Sequence, residues 1–534
     1  MVAGAVALVC ISLGGRAVHL SVESDARLTA AFASEQRLVA AAEDPPKRGA
    51  ILSADGRRLA TSLDTAKVVG TPYQIEDARA NAQALAGVLD LDATEIESRL
   101  TKRDGGGAPG GYSVVASGVE PEQAREVSEL NIPGVTVTPD AVRVYPNGAL
   151  ASQLLGHLGE DKAYGGVEAR YDETLKRGED VTLTIDTAVQ EVLDATLIAA
   201  ANENVAGSAL GLVMRVEDGA IVAMSNVPGY DNNRFGEAAG ELQRNRTLTD
   251  PYEPGSTFKA FTMAAALEEG AVAEDTAFVV PDSIAVADRM IHDSKPHETK
   301  TLTTGDILVQ SSNVGTTQIA QRLGGERLYE YIKRFGFGEQ TGVDLWGEDP
   351  GDVPSYEEWS GSSIGNIPIG QGLTVTPLQL AAGYAAIANG GLEVTPYVEE
   401  DAAPSDPGHR VISEGTSSIV RGMLRGVVEN GSGERARVPG YTVAGKTGTA
   451  EKVDPETGLY GGGYVTSFMG FAPAEDPEYL ALIVLDDPQT TYWGELTSAP
   501  AFAEVMDFTL KYFNVPPALT EESPPGTVNE GAAQ

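Results

Sequence analysis

Three short polar motifs set the strongest constraint on this chain of 534 residues. They are Ser256-Thr257-Phe258-Lys259, Ser311-Ser312-Asn313 and Lys446-Thr447-Gly448-Thr449, spaced 55 residues from Ser256 to Ser311 and 135 from Ser311 to Lys446. Each is weak alone: S-x-x-K also reads as an ordinary helix start, and two hydroxyls beside an amide as a cap or Asx turn. In this order and spacing they form a far more specific signal.

Pro254-Gly255 closes a loop, the apolar run Ala260 to Leu267 predicts a buried helix, and Gly270 suits its C′ position. Three apart on a helix, Ser256 and Lys259 share a face, so the lysine Nζ can reach the serine Oγ. A serine hydroxyl is a poor nucleophile at its ordinary pKa, and a lysine held neutral by burial can take its proton. The helix N-terminus adds a positive dipole at the serine. Ser311 is a candidate proton relay, and the Asn313 amide a candidate holder of a substrate peptide group. Lys446 falls in a strand-like run from Tyr441 to Glu451, where glycines such as Gly448 let a ligand backbone lie against the strand and Lys446, Thr447 and Thr449 make a carboxylate site.

Two rivals compete for the same residues. Gly440 to Thr447 satisfies G-x-x-x-x-G-K-[ST], and Leu482 to Asp487 resembles a strand ending in acid. A P-loop must open a long helix, and Gly448, Asp454-Pro455 and Gly458 follow instead. His292, His297 and Asp293 offer metal-ligand chemistry, but they sit in a polar loop at irregular spacing, so no metal and no cofactor are expected.

The rest of the chain organises around these motifs. Val2 to Gly15 is uncharged, and Ala17, Val18 and Leu20 extend the apolar run, so residues 1–20 read as a membrane anchor with the remainder exported. A cleaved signal ending at Ala31-Phe32-Ala33 is the competing reading. Residues 21–180 read as a noncatalytic mixed α/β domain, with amphipathic helices between Glu76 and Arg103, a Gly-rich tip at Gly105 to Gly111, and a strand from Val135 to Val144. Residues 181–513 read as the motif-bearing domain. Asp186 caps a helix to about Asn202, Ala209–Val216 and Ala220–Met224 form a hairpin, Thr466–Phe471 and Tyr479–Leu485 are two more strands, and a helix from Ser498 to Tyr512 closes it. The Pro- and Glu-rich residues 514–534 are expected to be disordered.

With 38 Lys plus Arg against 77 Asp plus Glu, the formal net charge is −39, and a polyanion would be repelled, so nucleic acid is not an expected partner. The single cysteine, Cys10, removes disulfide frameworks and thiol enzymes.

On the three motifs the chain resembles the penicillin-binding proteins. Arg48-Gly49-Ala50-Ile51, Arg143-Val144-Tyr145-Pro146, Gly166-Val167-Glu168 with Tyr171, Arg244-Asn245-Arg246, and Ile369-Gly370-Gln371-Gly372 with Thr376-Pro377 look like the class B, monofunctional branch. Ser53-Ala54 departs from the family's usual Asp-Arg. The resemblance implies an α/β (α+β) multidomain protein: a transpeptidase domain with a five-stranded antiparallel sheet between helices, and a pedestal or dimerisation-type domain. It implies a peptidoglycan D,D-transpeptidase with Ser256 as nucleophile, Lys259 as base, and the backbone N–H groups of Ser256 and Thr449 as oxyanion hole. Lys446, Thr447 and Thr449 would hold the substrate or β-lactam carboxylate. The implied partners are stem peptides ending in D-Ala-D-Ala, β-lactams, the membrane, a glycosyltransferase and division proteins. Phe335-Gly336-Phe337-Gly338 looks more like the septal members. A serine β-lactamase, or a β-lactam sensor or silent scaffold, shares the motifs and stays open.

Overall fold

The computed structural model describes residues 47–101, 111–159, 162–406, 408–453, 457 and 459–517. The expected anchor, most of the Gly-rich tip and the chain from 518 on lie outside them. Among the described residues no helix is long and apolar enough to cross a membrane. The described residues divide into two compact units, one holding those of 47–48, 63–142 and 176–178, the other those of 49–62, 143–175 and 179–517.

In the smaller unit the expected pair of amphipathic helices spans Ala78–Leu89 and Ala93–Thr101. Asp77 caps the first by accepting from Ala80 N at 2.9 Å. Their buried faces, Leu85, Ile96 and Leu100, pack with Val68 and Val115 from the antiparallel strands Arg58–Gly70 and Ser113–Val119.

The larger unit is built on five antiparallel strands: β1 (Ser208–Arg215), β2 (Ile221–Val227), β3 (Ala444–Val453), β4 (Tyr460–Ala472) and β5 (Tyr479–Asp486). Their order is β3-β4-β5-β1-β2. Six helices matter here: α1 (Thr187–Glu203), α2 (Lys259–Glu268), α3 (Asn313–Leu323), α4 (Pro377–Ala388), α5 (Glu414–Asn430) and α6 (Ser498–Tyr512). Strand periodicity splits the sheet between two cores. Ala209 and Val213 of β1 and Ala481 and Ile483 of β5 pack with Val189, Leu193, Phe502 and Met506 of α1 and α6. Leu210, Leu212, Leu480 and Leu482 face the other way, toward a core that includes Phe261, Tyr384 and Leu424 of α2, α4 and α5. Burial on both faces explains why β1 and β5 read as unbroken apolar runs rather than alternating ones.

Asp186 accepts from Ala188 N at 2.9 Å and Val189 N at 3.2 Å, as the sequence predicts for the start of α1. Asp186→Ala is expected to lower stability by about 1–2 kcal/mol, read as a shift in the urea midpoint. The expected disordered tail, 514–534, starts at least two residues too early. Val515 is buried, donates to Leu510 O at 2.8 Å, and accepts the Tyr441 hydroxyl at 2.8 Å.

Several family-like segments meet in this unit. Arg143 Nε donates to Glu168 Oε1 at 2.6 Å, with both side chains almost wholly buried, and Tyr145 OH donates to the same oxygen at 3.1 Å. Tyr171 OH donates to Asp344, whose carboxylate also accepts from Val398 N and Glu399 N. At the departure, Ser53 is buried and its Oγ accepts from Arg57 N at 3.0 Å.

Candidate active site

The nucleophile candidate does not sit on a regular α-helix. Gly255–Phe258 forms a single 3-10 turn, and α2 begins at Lys259. The turn is held from three sides. Gly255 N donates to Gly370 O at 3.0 Å, Thr257 Oγ1 to Pro254 O at 2.7 Å, and the buried Tyr384 OH to Thr257 O at 2.7 Å. Beneath it, Phe258, Phe261, Phe337 and Tyr384 pack ring against ring, with centroids 4.8 to 5.3 Å apart. Gly255 has a φ of +56°, and a Cβ there would lie 2.7 Å from Thr449 O, so only glycine lets the turn lie this close to β3. The glycine at 448 has a like cause: a Cβ would fall 2.2 Å from Ser467 Oγ and 3.1 Å from Pro254 O.

Lys446, Thr447, Gly448 and Thr449 all lie on β3, paired with Met469, Phe468, Ser467 and Thr466 of β4. The lysine of the G-x-x-x-x-G-K-T string therefore stands inside a strand that runs on to Val453 and does not open a helix. Pairing with β4 also brings in Tyr460 to Val465, which sequence periodicity leaves out because Gly461 to Gly463 interrupt the apolar pattern.

Ser256, Ser311, Asn313, Thr447 and Thr449 line one cleft of about 510 Å³. Lys259 and Lys446 are not on its wall; each is 0% exposed. Lys259 Nζ donates to Ser311 O at 2.6 Å, Asn313 Oδ1 at 2.7 Å and Ser311 Oγ at 3.2 Å. The sequence pairs this amine with Ser256; its hydrogen bonds run to the second motif instead. Burial holds the Lys259 pKa well below the ordinary lysine range, the charge of Lys446 pushes the same way, and Asp293 opposes them. Burial alone pushes Lys446 down to about 7. Among the described residues its Nζ has two partners, Thr447 O and Thr447 Oγ1, both at 3.3 Å.

Ser311 has a φ of +57°, a left-handed conformation that costs a non-glycine residue about 1–2 kcal/mol. Such strain persists where surroundings over-determine it. Here Ser311 N donates to Leu308 O and Ser312 N to Ile307 O, while Ser312 Oγ caps α3 by accepting from Gly315 N at 2.9 Å.

Sequence reasoning missed two contributors. Ser432, which no motif marks, shares a 2.8 Å hydrogen bond with Thr447 Oγ1 and lines the cleft. The metal candidates turn out to serve the second motif: Asp293 accepts from Ser312 Oγ, Val314 N and His297 Nε2, and His292 O accepts from Asn313 Nδ2. Among the described residues no group of three His, Cys, Asp or Glu is placed to hold a metal.

This arrangement can activate a hydroxyl beside a desolvated amine and receive a carboxylate beside a second one. Comparison with known proteins agrees with that chemistry. The signature of the penicillin-binding protein transpeptidase domain matches residues 209–507, and that of the penicillin-binding protein dimerisation domain residues 43–189. Peptidoglycan D,D-transpeptidase FtsI of Escherichia coli K12 is 31% identical, over 97% of this chain and 92% of its own length. Penicillin-binding protein PbpB of Mycolicibacterium smegmatis is 32% identical, over 88% of this chain and 84% of its own. The solved structure of penicillin-binding protein 3 from Mycobacterium tuberculosis, complexed with aztreonam, superposes with a TM-score of 0.72 at 30% identity, covering 89% of this chain and 97% of that one. With both domain signatures in sequence and these relatives matched over most of their length, the chain belongs to the class B penicillin-binding proteins.

Proposed function

We propose that this protein is a peptidoglycan D,D-transpeptidase and a β-lactam target, acting in septal wall synthesis. The observation that carries the chemistry is the pair of fully buried lysines beneath a cleft that Ser256 lines. A neutral Lys259 keeps two N–H bonds for Ser311 O and Asn313 Oδ1, gives up donation to Ser311 Oγ, the longest of its three contacts at 3.2 Å, and so has a lone pair for a proton. Ser256 Oγ attacks the penultimate D-Ala carbonyl, and its proton passes to Lys259. The C–N bond breaks, and the D-Ala amine leaves with that proton, relayed by Ser311. An amine of a neighbouring strand then attacks the ester, forms the new amide and restores the serine proton. The N–H groups of Ser256 and Thr449 stabilise both oxyanions, a role that contributes about 3–4 kcal/mol per donor. Lys446, Thr447, Gly448 and Thr449 seat the terminal carboxylate.

The septal assignment rests on Phe335-Gly336-Phe337-Gly338 and on the likeness to FtsI. Anchoring through residues 1–20, with residues 181–513 catalytic and 21–180 serving membrane partners such as a glycosyltransferase, completes the reading; it rests on the apolar run after Met1 and on family likeness.

One observation favours a transpeptidase over a β-lactamase. The carboxylate that acts electrostatically on Lys259, Asp293, already has both oxygens engaged by protein groups, which leaves it poorly placed to drive a hydrolytic water. Labelled penicillin followed by peptide mapping and intact-mass time courses tests the whole reading. The adduct is expected on Ser256, persisting for minutes to hours, with β-lactam turnover far below the usual enzymatic range of about 1–10³ per second. Label on Ser311 or Ser312 would refute the mechanism. Loss of the adduct within seconds as hydrolysed drug accumulates would make the protein a β-lactamase, and no adduct on folded protein would make it a scaffold.

A further inference from the structure

Taking the transpeptidase reading of the cleft as given, we propose that Asp293, braced by His297, is the positioning residue that holds the Ser311-Ser312-Asn313 turn against Lys259. The Asp293 side chain is 8% exposed and fully employed. Its Oδ1 accepts from Ser312 Oγ at 3.0 Å and Val314 N at 2.9 Å, and its Oδ2 from the same hydroxyl at 2.8 Å and from His297 Nε2 at 2.9 Å. The preceding residue completes the bracket: His292 O accepts from Asn313 Nδ2 at 2.9 Å.

That last bond has a chemical consequence. A carbonyl oxygen only accepts, so the Asn313 amide must turn its NH₂ toward His292, and its Oδ1 is left to face Lys259 Nζ at 2.7 Å. Residues 312 to 314 are thus tied, one after another, to residues 292 and 293. With Ser312 pinned on the far side, the strained Ser311 is kept pointing at the lysine.

His297 is matched to its role. Its Nε2 faces the Asp293 carboxylate and its Nδ1 the Glu298 carbonyl at 2.8 Å, both acceptors, so only the doubly protonated ring satisfies both. The Glu298 carbonyl and then Asp293 raise its pKa, against burial and Lys300. Asp293 is also the acidic group that opposes burial and Lys446 at Lys259. Its charge and its geometry therefore act on the same amine.

The test measures penicillin acylation against pH, with melting temperature, for wild type, Asp293→Asn, Ser312→Ala and the double variant. Ser312→Ala removes the link outright, and Asp293→Asn weakens it by replacing the oxygen that accepts from His297 and Ser312 with an NH₂ donor; each is expected to slow acylation, by up to about 10²-fold, the loss that accompanies a displacement of roughly 1 Å. The double variant is expected to be no slower than the worse single one. Removing the Asp293 charge lowers the Lys259 pKa further, so the acid limb of the Asp293→Asn profile moves to lower pH; Ser312→Ala keeps the charge and leaves the limb in place. A residue that merely supported the fold would move melting temperature without moving that limb. Folded Asp293→Asn with the wild-type rate and profile, or single losses that simply multiply in the double variant, overturns the proposal. If Asp293→Asn does not fold, Ser312→Ala decides: a loss near 10²-fold supports it and a wild-type rate overturns it. Wild type that forms no adduct on Ser256 refutes the function itself, so the two failures are distinguishable.

Discussion

Lys259→Met is expected to slow penicillin acylation by at least about 10³-fold while the protein remains folded, with stopped-flow acylation and thermal unfolding as the paired measurements. Methionine is one heavy atom shorter than lysine but close to it in volume, so most of the packing in this fully buried space is kept while the amine is removed. General-base catalysis by a positioned side chain contributes about 10²–10⁴-fold, and Lys259 is the amine assigned that role under the transpeptidase reading. The structural cost is limited. Ser311 O and Asn313 Oδ1 lose a donor, at about 1–3 kcal/mol, but a desolvated amine is removed with it. Arginine is the poorer probe: at 0% exposure its larger head overfills the site and lowers stability for reasons unrelated to chemistry. Acylation of Lys259→Met at a wild-type rate would show that another group takes the serine proton.

The contacts of Lys259 also show where sequence reading succeeds and where it stops. Features encoded within a few residues were legible: the Asp186 cap, α2 ending before Gly270, α6 from Ser498 to Tyr512, and the three motifs themselves. Each depends on local hydrogen bonding or on periodicity. What the motifs bond to was less legible, because those partners are distant in sequence. Asp293 meets Ser312 across 19 residues, and Lys259 meets Asn313 across 54. Spacing three apart suggested Ser256 as the partner of Lys259, but the 3-10 turn that precedes α2 and the proximity of the second motif direct the amine elsewhere. His292, Asp293 and His297 suggested ligands for the same reason that they make a bracket: acceptors and a proton-bearing ring gathered in one loop. Only the tertiary position of Ser312 separates the two uses. Ser432 carried no signal, since a serine between glycines reads as a turn whether or not it reaches Thr447.

Lys446→Met should give a more stable protein that acylates poorly. Lys446 is fully buried and among the described residues makes two hydrogen bonds, each at 3.3 Å, so little repays its desolvation. Its pKa in the folded protein, pushed down from 10.5 to about 7, means that the native state holds fewer protons than the unfolded chain between those values. Stability of the wild type therefore rises with pH across that window, and the lysine costs most toward its acid end. Replacing buried charge by an apolar residue of like volume commonly stabilises by about 1–4 kcal/mol, and here few hydrogen bonds are lost in exchange. The methionine variant should melt higher near pH 7, and the contribution of this residue to the slope of stability between about pH 7 and 10.5 should vanish. Function moves the other way. Truncating one partner of a buried charge pair costs about 2–5 kcal/mol, which corresponds to a loss of roughly 30- to several-thousand-fold in carboxylate-dependent acylation. A second signature separates this lysine from Asp293. The Lys446 charge depresses Lys259, so removing it raises the Lys259 pKa, and the acid limb of acylation should shift to higher pH, opposite to Asp293→Asn. A variant that melts lower than wild type near pH 7, or whose acid limb stays fixed, would show that Lys446 is neither a desolvated charge held for function nor electrostatically linked to the base.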